Sequence, residues 1–424
     1  MNDVSVFAPL VIAAVLTLPR HAVFGAAVAE KPAGLTVVRV LPASPAQNAG
    51  VRAGDVIVSV DGVATPTIPA YLSEVHNLHA AELVSVTLSR DGKPMTLRVR
   101  LGEPPEENDP LVTTRYDSIT VDGSLRRVLI TIPKQAHTPL PGVLLIGGIG
   151  CFSIDVASDP QDPYLRLAHD LSRAGFVTMR VEKSGVGDSR GPPCQSVDFA
   201  GEKRSYAVAL NALRADPAVN PKRVYVFGHS IGTIVAPRLA QRERVAGIVV
   251  AEAVGRDWFG YELRNTRRQL ELGGTAAAAT DAAMMDKYRC MYRLLVAKES
   301  EATIEVEQPS CKEHNGVYPV DAAYIQQVAA LNVIEPWTRL GVPVLAIYGT
   351  SDFVTERDDH VRIVAIVNAA HPGAATLHEI AGMDHLLYRA SSPKAALDAF
   401  ASGAAREYDT DLSAVIIAWL KQQT

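Results

Sequence analysis

RVYVFGHSIGTIVA, residues 223 to 236, runs from a β-branched and aromatic segment into a glycine, a serine and a helix-forming segment. Gly228-His229-Ser230-Ile231-Gly232 matches the pattern G-x-S-x-G. A nucleophile elbow of that pattern needs a strand entering the first glycine and a helix leaving the serine. The turn between them is tight, and side chains at the glycine positions would clash. The helix N-terminus then stabilises negative charge near the serine oxygen. Ser230 meets both requirements, with RVYVF before Gly228 and IGTIVAPRLAQRE after the serine. Pro237 lies inside that helix and is expected to kink it.

A second match, Gly187-Asp188-Ser189-Arg190-Gly191, lies forty residues earlier in VEKSGVGDSRGPPC. Its strand ends near Glu182, and Gly191-Pro192-Pro193 follows, which cannot be a helix interior. Ser189 is therefore not read as a nucleophile. Three glycines and two prolines make the segment a tight loop, expected to form a wall of the site.

Outward from these motifs, apolar runs alternate with amphipathic stretches. ITVDGSLRRVLITIP is a hairpin with Asp122-Gly123 at its turn, and GVLLIGG reads as a strand buried on both faces. Helix over 163–174, strand GFVTMRVE, helix over 200–215, strand VAGIVVAEA and strand VPVLAIYG continue the alternation. This predicts an α/β fold with a mostly parallel sheet. Residues 254–335 interrupt it with DWFGYELRNTRRQLEL and TDAAMMDKYRCMYRLLVAKES, two amphipathic stretches long enough to cap a site. Arg264, Arg267 and Arg268 there are candidates to meet an anionic substrate, set against a solvated helix face.

GHSIG in its strand-turn-helix setting resembles the α/β-hydrolase family over residues 115–424, closest to its dienelactone-hydrolase and acyl-peptidase-like branch. The resemblance implies an acid after a late strand and a histidine after the last one. VPVLAIYGTSDFVT places Asp352 in the first position, and ATLHEIAGMDHLLY places His385 in the second. His378 competes but falls within the strand pattern. Asp384 competes but adjoins His385. The implied chemistry is proton transfer from Ser230 to His385, with Asp352 holding the imidazole tautomer. The implied oxyanion donors are the backbone N–H groups of Ile231 and, in GGIG at 147–150, Ile149. Gly147 stands where the family's loop has a histidine. In this frame Cys151 follows the oxyanion loop and Cys194 ends the next strand's loop, both at the carboxyl edge of the sheet. Pairings 151–194 and 290–311 are favoured among the three that four cysteines allow. The second would staple the cap.

Residues 33–103 hold SPAQNAGVRAGDVIVSVDG, with a cap-like Ser44, Pro45 suited to a first helical turn, and turn dipeptides Asp61-Gly62 and Asp91-Gly92. This resembles a bacterial PDZ domain, a small α+β unit. The resemblance implies capture of a peptide C-terminus by strand addition, with the carboxylate-binding loop near Gly34 and Leu35. A domain that packs on the rest of the chain and captures nothing is the alternative. Residues 104–114, rich in proline and acid, read as an exposed linker.

At the N-terminus, the apolar run Val6–Leu18 and Ala27-Val28-Ala29 suggest a signal peptide over 1–29. The stretch before the run carries Asp3 and no lysine or arginine. The expectation is a periplasmic or secreted protein, membrane-anchored if uncleaved, in which the cysteines are oxidised. A net charge of −5 with no basic cluster excludes a nucleic-acid partner by charge, and no cysteine spacing suits a metal. Neither a metal nor another cofactor is expected. The favoured function is a serine esterase acting through an acyl-enzyme on a small-molecule ester. A serine peptidase fed by the PDZ-like domain, a thioesterase or acyltransferase, and an inactive binding module are the alternatives.

Overall fold

The computed structural model describes residues 18–423 apart from 76, 77, 137, 316 and 317. The apolar run expected as a signal segment therefore lies outside the described residues, save Leu18.

A small antiparallel sheet comes first. Its strands are β1 (Ala26–Lys31), β2 (Gly34–Val40), β3 (Val56–Val60), β4 (Val63–Ala64), β5 (Leu83–Arg90) and β6 (Lys93–Arg100). The order is β1-β2-β3-β5-β6, with β4 paired to β3. Ser44 caps the short helix Pro45–Asn48 by accepting from the Gln47 N–H. Leu35, Ile57, Val86, Leu88 and Val99 fill the core against the helix Ile68–Val75 and its Tyr71.

Two expectations for this unit can be placed in the structure. Gly34 and Leu35 open β2, whose two sides are taken by β1 and β3, and Leu35 is fully buried. An added strand would have to join an edge strand, β1 or β6, and Gly34 lies at the turn between β1 and β2. Ala27-Val28-Ala29, expected as a cleavage pattern, lies inside β1. The domain thus begins before residue 33.

The expected linker is exposed at 105, 106, 108, 110, 111 and 113, but two of its acids turn inward. The side chain of Glu107 is buried and pairs with Arg180 at 2.8 Å and His169 at 2.8 Å, and Asp109 pairs with Arg173. A buried guanidinium needs a charged partner, and the connector supplies it.

The large sheet contains β7 (Val112–Val121), β8 (Ser124–Pro133), β9 (Leu140–Ile146), β10 (Val177–Val181), β11 (Val219–His229), β12 (Gly247–Ala251), β13 (Val344–Gly349) and β14 (Ala375–Ile380). Their order is β14-β13-β12-β11-β9-β10-β8-β7. From β10 to β14 all neighbours are parallel; β7 and β8 form the antiparallel hairpin turned at Asp122-Gly123. Alternate side chains serve opposite faces. Leu144, Ile146, Val224, Val226, Ile248 and Val250 pack on one face with the helices Phe199–Ala215 and Gly232–Ala240. Val143, Leu145, Tyr225, Phe227, Val249 and Ala251 pack on the other with Pro163–Arg173 and Thr410–Gln422. The chain passes from β9 out to β10 and back across to β11, so β9 and β11 flank the point where strand order reverses. In open α/β sheets the crevice at the carboxyl ends of such strands is where ligands bind.

The segment between β12 and β13 is helical, with Trp258–Leu272, Ala277–Met291 and Ala322–Ala329 as its longer pieces. Disulfides join Cys151 to Cys194 and Cys290 to Cys311, the favoured pairing. The residues before β1 reach across to the large domain. Arg20 pairs with Asp155 at 2.8 Å, and His21 Nδ1 lies 2.6 Å from Asp188. Arg127 joins the same Asp188 at 2.8 Å and donates to the Leu18 carbonyl.

Candidate active site

β11 delivers Ser230 to the reversal point, and the helix Gly232–Ala240 leaves it there. Ser230 holds φ +53, a left-handed conformation that costs a non-glycine residue free energy. The flanking glycines explain how it is held. A Cβ on Gly228 would lie 2.5 Å from the Gly232 carbonyl oxygen, and one on Gly232 would lie 2.6 Å from that of Ile146. Strand and helix approach too closely for any other residue.

His385 Nε2 lies 3.1 Å from Ser230 Oγ, and Nδ1 lies 3.0 Å from Asp352 Oδ2. A carboxylate only accepts, so Nδ1 carries the proton and Nε2 is left as acceptor for the serine hydroxyl. Asp352 is fully buried after β13, and its carboxylate also accepts from the Val354 and Thr355 N–H groups and the Thr355 hydroxyl. Burial alone would raise its pKa. The adjoining His385 and the hydrogen bonds it receives outweigh that and hold the carboxyl well below the usual range. The two competitors lie elsewhere in role. His378 is exposed on β14, and Asp384 accepts from the Leu386 and Tyr388 N–H groups of its own turn.

Three neighbours went unnoticed in the sequence. His229, the variable residue of the motif, bonds through Nε2 to the His385 carbonyl at 2.7 Å. Its Nδ1 lies 2.6 Å from the Tyr164 hydroxyl, which in turn accepts from the Gly148 N–H. Burial keeps His229 neutral, with its pKa pushed down to about 3. This chain of bonds ties the loop after β9 to the histidine loop. Glu252, at the end of β12, is fully buried with φ +51, and its Oε1 accepts from the Gly349 N–H at 2.8 Å. One oxygen of Glu252, one of Asp352 and a ring nitrogen of His385 lie within 4.8 Å of one another. Burial, then the Asp352 carboxylate beside it, push the Glu252 carboxyl well above its usual range, so it is carried neutral. A histidine in a motif's variable position and a glutamate in an apolar strand end carry no sequence signal of such contacts.

A cavity of about 660 Å³ opens above Ser230 and His385. Ile149 and Ile231, the expected oxyanion donors, both line it; the Gly148 N–H is already engaged with Tyr164. Trp258, Tyr261 and Tyr318 from the segment between β12 and β13 cover it. No residue of 181–194 lines it, which corrects the expected wall. That loop acts one step back: Glu182 accepts from Ser153 and Ile154, Lys183 donates to the Gly148 carbonyl, and Cys194 holds Cys151. Ser189 is buried, accepts from the Arg127 N–H and donates to the Glu182 carbonyl. Arg264, Arg267 and Arg268 do not line the cavity. Arg264 pairs with Glu356 and Arg267 with Asp281, while Arg268 donates to the carbonyls of Asp352 and Thr355.

Residues 143–399 match the alpha/beta hydrolase family, which is most of the chain. The chain belongs to that family. Residues 22–101 match the PDZ domain, so the match, like β1, begins ahead of residue 33. Esterase EstD of Thermotoga maritima is 27% identical over 65% of this chain, which spans 62% of that relative's length. The serine endoprotease DegS of Escherichia coli is 33% identical over 18% of this chain and 21% of its own. Est1E from Butyrivibrio proteoclasticus, a solved structure, aligns with 73% of this chain and 98% of its own at 13% identity and a TM-score of 0.45.

Proposed function

We propose that the protein is a serine hydrolase of carboxylic esters, with Ser230 as nucleophile, His385 as general base and acid, and Asp352 as its orienting carboxylate. The observation that supports this most is the hydrogen-bonded series Ser230–His385–Asp352 at the floor of the cavity. His385 Nε2 takes the serine proton as Oγ bonds to the ester carbonyl carbon. The oxyanion is held by the N–H groups of Ile231 and Ile149. His385 then returns the proton to the departing alcohol, leaving an acyl-serine. Water repeats the sequence with His385 as base and frees the acid. The 27% identity to Esterase EstD favours ester over amide substrates.

A peptidase reading draws on the PDZ match and the open edge of β1, where a peptide could add as a strand. A panel of short activated esters and peptide amides separates the two. The ester reading predicts kcat/KM for esters at least 100-fold above that for amides, unchanged by a competing C-terminal peptide. Preferred amide cleavage, sensitive to that peptide, would favour the peptidase instead.

Export is part of the proposal, supported by the apolar run at 6–18 and the two disulfides. On this reading β1, Ala26–Lys31, stays in the mature protein, and processing does not fall after Ala29.

A further inference from the structure

The cavity above Ser230 is mostly aromatic and aliphatic, with Phe152, Tyr261, Tyr318, Phe353 and Phe400 among its walls. Arg406 is the only lysine or arginine among the described residues that line it. Its guanidinium carbon lies 4.3 Å from the Tyr388 ring centroid, a cation–π contact. Its Nη1 is buried without a hydrogen-bond partner. A guanidinium N–H taken out of water with no acceptor is costly, and a bound anion would offset that cost. The planar fork of arginine suits a carboxylate's two oxygens.

Among the described residues, no other titratable group of this corner is hydrogen-bonded to Arg406 Nη1. Asp162 uses its carboxylate to cap the helix Pro163–Arg173 through the Leu165 N–H. Asp384 accepts from the Leu386 and Tyr388 N–H groups through Oδ1 alone, and its buried Oδ2 has no hydrogen-bond partner although the Arg406 charge favours its ionised form. Burial raises both carboxyls. His229, also in the wall, is neutral. The three cap arginines that the sequence offered for an anion are occupied elsewhere.

We propose that Arg406 is a specificity residue that selects esters carrying a carboxylate, joined to the reacting carbonyl by an apolar or aromatic spacer. This rests on the reading of Ser230 as the nucleophile at the same cavity. Arg406 does not touch the reacting atoms; it holds the far end of the substrate, so its loss should appear in KM more than in kcat.

The test uses the full chain and matched activated esters: mono(4-nitrophenyl) esters of dicarboxylic acids from succinate to suberate, and the 4-nitrophenyl esters of monocarboxylic acids of equal length. At one spacer length the wild type should prefer the acid-terminated ester in kcat/KM. Arg406→Gln should lower that preference tenfold or more, mostly through KM, while the neutral esters change less than about threefold. Arg406→Glu should reverse it. A preference unchanged in Arg406→Gln, or none at any length, would overturn the proposal. Binding of the same pairs to Ser230→Ala protein, read by calorimetry, makes the same comparison without turnover. Failure of hydrolysis with selective acid binding would therefore sink the nucleophile assignment alone, and equal binding of both members would sink the Arg406 proposal alone.

Discussion

Ser230 is held at positive φ by glycines that let a strand end and a helix start nearly touch. Gly232→Ala puts a methyl group 2.6 Å from the Ile146 carbonyl oxygen, so the elbow must open. The expected result is loss of ester hydrolysis with a fall in stability of about 2–4 kcal/mol, read by denaturant unfolding. Native stability in that variant would contradict the close approach. Glu252 makes a sharper prediction. Since it is neutral beside an ionised Asp352, Glu252→Gln keeps the charge pattern and should retain kcat within about threefold. Asp352→Ala removes the anion facing His385 and should cost about 10³–10⁴ in kcat. Equal losses in the two variants would mean that Glu252 works as an anion. At this scale the sequence was legible where a motif constrains backbone: the elbow, and an acid and a histidine at strand ends. Tyr164, His229 and Glu252 were not legible, because each acts through a contact 65 or more residues away that no local spacing records.

The loop after β10 shows how an element can carry a motif for a different reason. Its glycines serve a tight turn: a Cβ on Gly187 would lie 2.2 Å from a Glu182 carboxylate oxygen. Its serine bonds backbone, and its disulfide and Glu182 brace the loop over 147–154. Ser189 lies outside the cavity, in keeping with its sequence context, yet the expected wall was one layer too close to the cavity. Within the largely exposed acidic connector, Glu107 was misread for a related reason: its partners Arg180 and His169 are distant in sequence, so it looked solvated. Glu182 also sets a pH dependence. Burial, against the hydrogen bonds from Ser153 and Ile154, pushes its pKa up to about 7 from the ordinary 4.5. The native state therefore binds this proton more tightly than the unfolded chain. Its contribution is full below about pH 4.5 and is lost as pH rises through 7, by on the order of 3 kcal/mol. Glu182→Gln should flatten the decline in stability between pH 5 and 8, measured by thermal unfolding across that range. An identical slope in the variant would show that Glu182 is ionised throughout.

Across the whole molecule, alternating apolar runs were enough to announce a small α+β unit followed by a mostly parallel α/β sheet. The join between them was hidden. Residues 18–21 lie near a hydrophobic leader in sequence but bind the large domain through Asp155, Asp188 and Arg127. A chain beginning at Glu30 loses Arg20, His21 and four residues of β1, Ala26 to Ala29. It leaves Asp155 and Asp188 short of buried charge partners, and should be destabilised by a few kcal/mol, seen as a lower unfolding midpoint. An unchanged midpoint would mean that this segment is dispensable; an intact mass that places the mature N-terminus at Glu30 would contradict its place in the fold. The central claim, that one of two G-x-S-x-G serines is the nucleophile, is tested most directly by covalent labelling. Native protein treated with a fluorophosphonate and digested for mass spectrometry should carry one adduct, on Ser230, with hydrolysis lost in step. Labelling of Ser189, or full inhibition with Ser230 unmodified, would contradict it.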